Sequence, residues 1–420
     1  MGLLQLAAIL RAHGVRISYI DCLDRFHPRS ESTVSPKKPG RGAYLKTRIP
    51  RPAGLEDVPR YFSRYGIPLE WFQEDLSNVP QPDVVMVTSL MTYWYPGVQE
   101  TIHQIRETFP DTPIVLGGIY ASLCREHARK QSGADLVVTG PGEGRVLDLV
   151  AEHTGVALTC GFDPQDLDTY PYPAFDLQHW IPYVPILTSR GCPFACTYCA
   201  SHYLNPEPMR RSPEAVVEEI RYWHRTHGVV DFAFYDDALL VNAENHIIPI
   251  LEGIVAAGLD SRFHTPNALH VREVTPEIAG LMYASGFESI RLGVETTAFE
   301  ERGHLDKKIT KGEFFRCIQA FKEAGFHKSQ IGAYILVGLP GQSISDVVDT
   351  IQAVKSAGVL PIMAYYTPIP HTALWKEAVA SSRYDLASDP IFTNNAILPC
   401  QKDTFSWETL ARLKNLVADV

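Results

Sequence analysis

Three features of the sequence predict an α/β protein built from two parallel-sheet units, a doubly wound sheet followed by a partial (β/α)6 barrel. Short, buried-type apolar runs alternate with helix-length amphipathic stretches along most of the 420 residues, the signature of strand–helix–strand crossovers. The two series of alternation are separated by a stretch with prolines at 164, 171, 173 and 182. Small, acidic or sulfur-bearing residues follow the apolar runs, at the strand ends where such sheets and barrels bind ligands.

Composition narrows the class. With 45% hydrophobic and 20% charged residues the chain is an ordinary globular one, long enough for two or three cores. No apolar run approaches the ~20 residues of a spanning helix. The opening Gly2 to Arg11 reads as a helix and not as a secretory leader. A net charge of −10 argues against a nucleic-acid partner. Eight cysteines, three of them clustered, do not form the pattern of a secreted disulfide framework, so the expected location is cytoplasmic.

In chain order, Leu3, Leu6, Ala7 and Leu10 have helical spacing, and Val15 to Asp21 alternates like a strand. Residues 25–60 read as a long loop. Its basic run Lys37, Lys38, Arg41, Lys46, Arg48, Arg51 is a solvated surface or a docking surface for an acidic partner. Strands are expected at 83–88, 113–116 and 134–139, with a helix over 97–107. Their ends are Ser89-Leu90-Met91-Thr92, Gly117-Gly118 and Gly140 to Gly144. Residues 1–150 thus form the first domain and 151–182 a linker.

From 183 to 374 a second series supplies strands near 184–189, 229–235, 262–266, 288–293, 331–337 and 359–366. Helices fall near 213–226, 243–257, 275–285, 311–324 and 343–357, three of them opening on the capping residues Ser212, Thr275 and Ser343. Six such units make three-quarters of a (β/α)8 barrel. Residues 375–420, with Trp375, Trp407 and a last helix from about Ser406, are expected to cap it.

Directly after the first barrel strand comes Gly191-Cys192-Pro193-Phe194-Ala195-Cys196-Thr197-Tyr198-Cys199, with cysteines spaced C-x3-C-x2-C. Clustered thiolates favour an iron–sulfur cluster or zinc. A four-iron cluster normally takes four cysteines, so three leave one iron open. Zinc would be completed by His202 as a Cys3His set. Other barrel strands end in Asp236-Asp237, in Asn267 with His270 and Arg272, in Glu295, and in Gly338. Asp236 and Asp237 are ligand-positioning carboxylates or helix caps. A glutamate closing an apolar strand, as Glu295 does, needs a task or an ionic partner, Arg291 or Arg272. The other five cysteines are simple thiols.

The cysteine loop, with Tyr198 in the aromatic position, resembles the C-x3-C-x-aromatic-C signature of the radical S-adenosylmethionine (SAM) superfamily. The resemblance implies a [4Fe–4S] cluster on Cys192, Cys196 and Cys199, whose free iron chelates the amino and carboxylate groups of SAM. An electron then cleaves SAM to methionine and a 5′-deoxyadenosyl radical. It also implies SAM contacts at Tyr198, Asp236, Glu295 and Gly338, and a reductant such as flavodoxin or ferredoxin.

Residues 1–150 resemble the cobalamin-binding domain fused ahead of radical SAM domains, so that Ser89, Thr92, Gly117 and Gly118 would line the cobalamin tail. Departures are Met91 for the usual leucine, the absence of the cobalt-ligating Asp-x-His-x-x-Gly, and an opening on what would be that domain's first helix, without its first strand. Pro368-Ile369-Pro370-His371-Thr372 is similar to the Pro-x-Pro-Gly-Thr of these fused enzymes, with His371 in place of glycine. With cobalamin, the resemblance implies methyl transfer to an unactivated carbon of a small molecule, with methylcobalamin as donor. Without it, rearrangement, cyclisation or oxidation is implied. A non-catalytic iron–sulfur or zinc-binding interaction protein is the rival. No catalytic side chain is singled out, and the residues do not name the substrate.

Overall fold

The computed structural model describes residues 1–30, 42–300, 302–306, 308–401 and 406–418. Lys37, Lys38 and Arg41 of the basic run lie outside them. The chain divides into two compact units, 1–182 with 389–391, and 183–388 with 392–420.

The first unit opens with helix α1 (Gly2–Ala12), whose Ile9 and Leu10 pack with Val146, Leu147 and Val150. The strands β1 (Lys46–Ile49) and β2 (Phe62–Tyr65) pair antiparallel, within and beyond a stretch that reads in sequence as plain loop. Their Lys-Thr-Arg-Ile and Phe-Ser-Arg-Tyr bury almost nothing, so no apolar pattern announces them. Val15 to Asp21, in contrast, reads as a strand and is not one: among the described residues it has no strand to pair with, and Ile20 packs its side chain on the core.

Helix α2 (Leu69–Ser77) precedes a parallel sheet of β3 (Val85–Ser89), β4 (Ile114–Gly117) and β5 (Leu136–Val137), in spatial order 3-4-5. The connections are α3 (Tyr95–Thr108) and the pair α4 (Gly118–Leu123) and α5 (Arg125–Gln131); α6 (Val146–Thr154) follows β5. Ile102, Ile105, Ile114, Leu116 and Tyr120 form the core between sheet and helices. This is the small doubly wound sheet the alternation predicts.

The second unit holds six parallel strands: β6 (Val184–Ile186), then, beyond a short hairpin of β7 (Ser189–Arg190) and β8 (Met209–Arg210), β9 (Asp231–Phe234), β10 (Arg262–His264), β11 (Phe287–Glu295), β12 (Ile331–Val337) and β13 (Leu360–Tyr365). Their spatial order is their chain order, 6-9-10-11-12-13, the topology of a partial (β/α)6 barrel. The short α7 (Ser201–Leu204) lies inside the hairpin. The crossovers are α8 (Pro213–His227), α9 (Ile247–Ala257), α10 (Pro276–Ala284), α11 (Lys311–Ala324) and α12 (Ile344–Ser356), followed by α13 (Trp375–Ser381) and α14 (Trp407–Ala418).

The helices start where their caps place them. The Ser212 and Thr275 side chains accept the N–H of Ala215 and Ile278, while Thr310 and Ser343 close full capping boxes with Glu313 and Asp346. Gly228, Gly258 and Gly325 end α8, α9 and α11 in the left-handed conformation. Phe232, Phe234, Phe263 and Phe287 stack across three neighbouring strands with centroids 5.5–6.0 Å apart, fixing the strand register near the start of the barrel.

Candidate functional site

The cysteine loop hangs from the end of β6 and is anchored at both sides. Before it, Asp236 at the end of β9 accepts hydrogen bonds from the Thr188 N–H (3.0 Å), the Thr188 hydroxyl (2.7 Å) and the Ser189 hydroxyl (2.7 Å). Burial pushes the Asp236 carboxyl up, against these donors. The acid therefore ties two strand ends together and fixes where the loop begins. Gly191, with φ 85°, makes the turn, and β7 and β8 clamp the loop's neck. Beyond it, Leu305 O accepts from the Thr197 N–H (2.9 Å), and Thr197 O accepts from the Leu374 N–H (2.8 Å). Cys192 and Cys196 are buried and Cys199 is exposed.

Against the loop stands a buried ionic group. Arg302 and Asp306 pair at 2.8 Å, and the arginine also donates to the Val294 and Thr296 carbonyls. Asp306 Oδ2 accepts from the Tyr198 hydroxyl at 3.3 Å, and Lys308 Nζ lies 3.4 Å from the same hydroxyl. Glu295 completes the group. It is 7% exposed, with φ 63°, at the register shift that ends β11. A non-glycine residue in that conformation is strained, and such strain concentrates at functional sites.

A Cβ on Gly293 would stand 3.2 Å from Glu295 Oε1, so glycine makes room for the carboxylate. Burial pushes the Glu295 carboxyl up while Lys308 draws it down. Burial would lower the Lys308 ammonium, but Glu295, Cys196 and Asp306 outweigh it and hold it above its ordinary value. Burial pushes the Cys196 thiol up, and the Lys308 ammonium draws it down. Arg291 and Arg272, the partners the sequence offers for Glu295, are engaged elsewhere: Arg291 Nη1 donates to the Ile290 carbonyl and Arg272 approaches Glu313.

The remaining expected residues divide. Asp237 accepts from the Ser201 hydroxyl at 2.6 Å, and Asn267 donates to the Tyr235 carbonyl at 2.7 Å. Gly338, with φ 93°, gives its N–H to Gln342 Oε1 at 2.7 Å. His371 keeps a left-handed backbone, φ 69°, although it is not glycine, and stacks on Tyr203 at 4.2 Å. No three His, Cys, Asp or Glu side chains among the described residues converge as a single-ion site, the three loop cysteines and His202 included. Arg302, Asp306, Lys308 and His270 carry no role in the sequence reading. Asp306 and Lys308 lie in Leu-Asp-Lys-Lys and Arg302 just before it, in a short connection with no apolar period.

In the first unit, Ser89 of β3 and Gly118 face each other as a parallel bridge, so both expected loops lie at one sheet edge. Gly118 has φ 88°, and a Cβ there would stand 2.3 Å from Thr88 Oγ1. A Cβ at Gly117 would only touch the Val138 carbonyl oxygen, at 3.9 Å, and one at Gly140 would meet open space. Ser122 Oγ links the two ends, donating to Gly118 O (2.9 Å) and accepting from the Gly140 N–H (3.1 Å). Thr92 is buried at the start of the turn before α3. Gly118→Ala should therefore cost about 1–2 kcal/mol for the left-handed backbone alone, with the overlap added. Chemical denaturation would register the loss in the first unit.

Burial pushes the Cys192 thiol up, and charge on Cys196 or Cys199 would push it the same way. Three soft donors on one pinned loop suit a cluster with an open iron, and a sheet edge without side chains at Gly117, Gly118 and Gly140 lets a cofactor tail approach backbone. Fold and site define a radical SAM enzyme joined to a cobalamin-type sheet. The comparisons agree: residues 186–354 match the radical SAM superfamily and 72–150 the B12 binding domain. The chain thus carries a radical SAM superfamily domain behind a B12 binding domain, a pairing whose cofactors are a [4Fe–4S] cluster, SAM and cobalamin.

It is similar to an uncharacterized methyltransferase of Pyrococcus horikoshii, 26% identical over 72% of this chain and 70% of that one. It is also similar, again at 26% identity, to the anaerobic magnesium-protoporphyrin IX monomethyl ester cyclase of Cereibacter sphaeroides, over 71% of this chain but 53% of that protein's length. The fold is shared with the radical SAM methyltransferase TsrM of Kitasatospora setae, solved with cobalamin and a [4Fe–4S] cluster. That match has a TM-score of 0.62 at 17% identity and covers 74% of this chain and 68% of that one. No helix among the described residues is long and apolar enough to cross a membrane.

Proposed function

We propose that the protein is a cobalamin-dependent radical SAM methyltransferase acting on a small molecule, with Cys192, Cys196 and Cys199 as the cluster ligands. The observation that carries this is the cysteine loop pinned against buried Glu295 and Lys308. When bound, the cluster supplies the electron that cleaves SAM, and cobalamin supplies a methyl carrier. The chain's own residues do the rest. Glu295 is placed to accept from the SAM amine, and Lys308 to pair with its carboxylate, each charge answering its opposite in a desolvated site. Tyr198, held through its hydroxyl by Asp306, keeps the loop seated. Asp236 holds the loop's foundation, its Oδ1 taking the three short bonds from Thr188 and Ser189. At the sheet edge, Ser89, Thr92, Gly117 and Gly118 would border the cobalamin tail.

All eight cysteines are free thiols, and net charge is −10. The thiols support a cytoplasmic enzyme and the charge a substrate that is not a nucleic acid, while the cluster would draw its electron from a reductant such as flavodoxin or ferredoxin. The domain boundaries 1–150, 151–182, 183–374 and 375–420 stand as part of the same reading.

Anaerobic reconstitution with iron, sulfide, hydroxocobalamin, SAM and dithionite tests it. The protein should take up about four irons per chain, show the cobalamin spectrum, and release 5′-deoxyadenosine together with S-adenosylhomocysteine. Similarity to a cyclase favours one second reading, radical oxidation or cyclisation without methyl transfer. That reading yields 5′-deoxyadenosine and no S-adenosylhomocysteine. A colourless protein holding only zinc would end both.

A further inference from the structure

His270 follows β10 and is 5% exposed. Its backbone is fixed by its neighbour Leu269, which bridges to Leu292 of β11, donates to Arg291 O (2.8 Å) and accepts from the Gly293 N–H (3.1 Å). The imidazole stacks on Phe194 of the cysteine loop, centroids 4.4 Å apart and planes at 29°. Nε2 lies 4.0 Å from Cys192 Sγ, and Nδ1 is buried with no hydrogen-bond partner. Burying a histidine with one nitrogen unanswered is unfavourable, and an aliphatic side chain would fill the space without that cost. Something must favour the other nitrogen's contact.

The chemistry of the sulfur supplies it. A cysteine bound to iron has lost its proton and only accepts hydrogen bonds. The imidazole must then carry its proton on Nε2, which leaves Nδ1 as the bare lone pair, the nitrogen found without a partner. An N–H facing an anionic sulfur is charge-assisted, and such bonds are shorter and stronger than neutral ones. Hydrogen bonds to cluster sulfurs are among the levers that set iron–sulfur potentials, because they stabilise the more negative, reduced state.

We propose that His270 is a positioning residue for the cluster: its Nε2–H donates to the Cys192 sulfur, Phe194 holds the ring in plane for that bond, and the bond makes the cluster easier to reduce. The inference rests on Cys192 being a cluster ligand.

The test is an EPR-monitored redox titration of the full-length protein, reconstituted as wild type, His270→Phe and His270→Gln. His270→Phe keeps an aromatic ring for Phe194 but offers no N–H. It should hold the wild-type iron content, with a reduced-to-oxidised ratio at fixed solution potential lower by roughly three- to tenfold, where tenfold is about 59 mV for one electron. His270→Gln, whose amide offers an N–H at similar reach, should recover at least half of the shift. Pulsed EPR on reduced wild type grown with 15N-histidine should show a weak nitrogen coupling that His270→Gln lacks. Equal potentials in wild type and His270→Phe, or no such coupling in wild type, overturn the proposal. If His270→Phe holds no cluster, the coupling in wild type decides alone. Failure of wild type to assemble any cluster would instead overturn the radical SAM reading beneath it.

Discussion

Cys196→Ala should give a protein that folds, takes up little iron after anaerobic reconstitution, and releases 5′-deoxyadenosine only at background. The expected effect is the largest of any single substitution here, because two thiolates leave half of a four-iron cluster without protein ligands. Folding should survive, since the loop's position does not depend on the sulfur. The Thr197 N–H reaches Leu305 O, the Leu374 N–H reaches Thr197 O, and β7 and β8 close the neck. Lys308 loses one of the anions that raise its ammonium, yet it keeps Glu295 and Asp306. Cys317 serves as the control. It is equally a thiol, but it is buried in α11 with the desolvated, inert character of a core side chain, and Cys317→Ala should keep both cluster and product. Iron and sulfide analysis with product chromatography checks both variants. A Cys196→Ala protein with wild-type iron and product would remove the loop from the chemistry.

Much of this was legible in the sequence because the signals were local. The C-x3-C-x2-C spacing lies within eight residues, and the barrel helices announce themselves through caps at Ser212, Thr275 and Ser343. Strand β12 spans Ile331–Val337, the very run that the apolar pattern marks. Glu295 was conspicuous as a carboxylate closing a buried strand. Its partner was not: Lys308 is a lysine in a short polar connection, and only the fold brings it to Tyr198, 110 residues back. Asp236 shows the converse. Its place at a strand end suggests a ligand contact, and only the fold shows that its Oδ1 also holds Thr188 and Ser189. The β1–β2 hairpin escaped for a third reason, since an exposed polar ribbon carries neither period. His371 was read against glycine, and a stack on Tyr203 accompanies the left-handed backbone that glycine would adopt freely.

Asp306→Ala should cost the barrel about 3–5 kcal/mol, the range for breaking a buried ion pair from one side. Asp306 and Arg302 are 5% and 3% exposed, and the carboxylate takes three contacts of 2.8–3.0 Å from the guanidinium. It also accepts from the Lys308 N–H and from Tyr198, so one alanine strands a buried cation and frees the aromatic of the cysteine motif together. For a unit of this size the loss corresponds to a Tm lower by about 6–20 °C, readable by calorimetry. Asp306→Asn keeps the shape and an acceptor but removes the charge, and should fall between wild type and alanine. The double variant Arg302→Met/Asp306→Leu separates stability from function. Replacing a buried pair by apolar groups is often neutral, so part of the lost stability should return, limited by the Val294 and Thr296 carbonyls that Arg302 no longer satisfies. SAM cleavage should not return with it, because Tyr198 still lacks its anchor. Full activity in the double variant would show that the pair is scaffold alone, and that the loop is seated by Thr197 and Leu374 without help from Asp306.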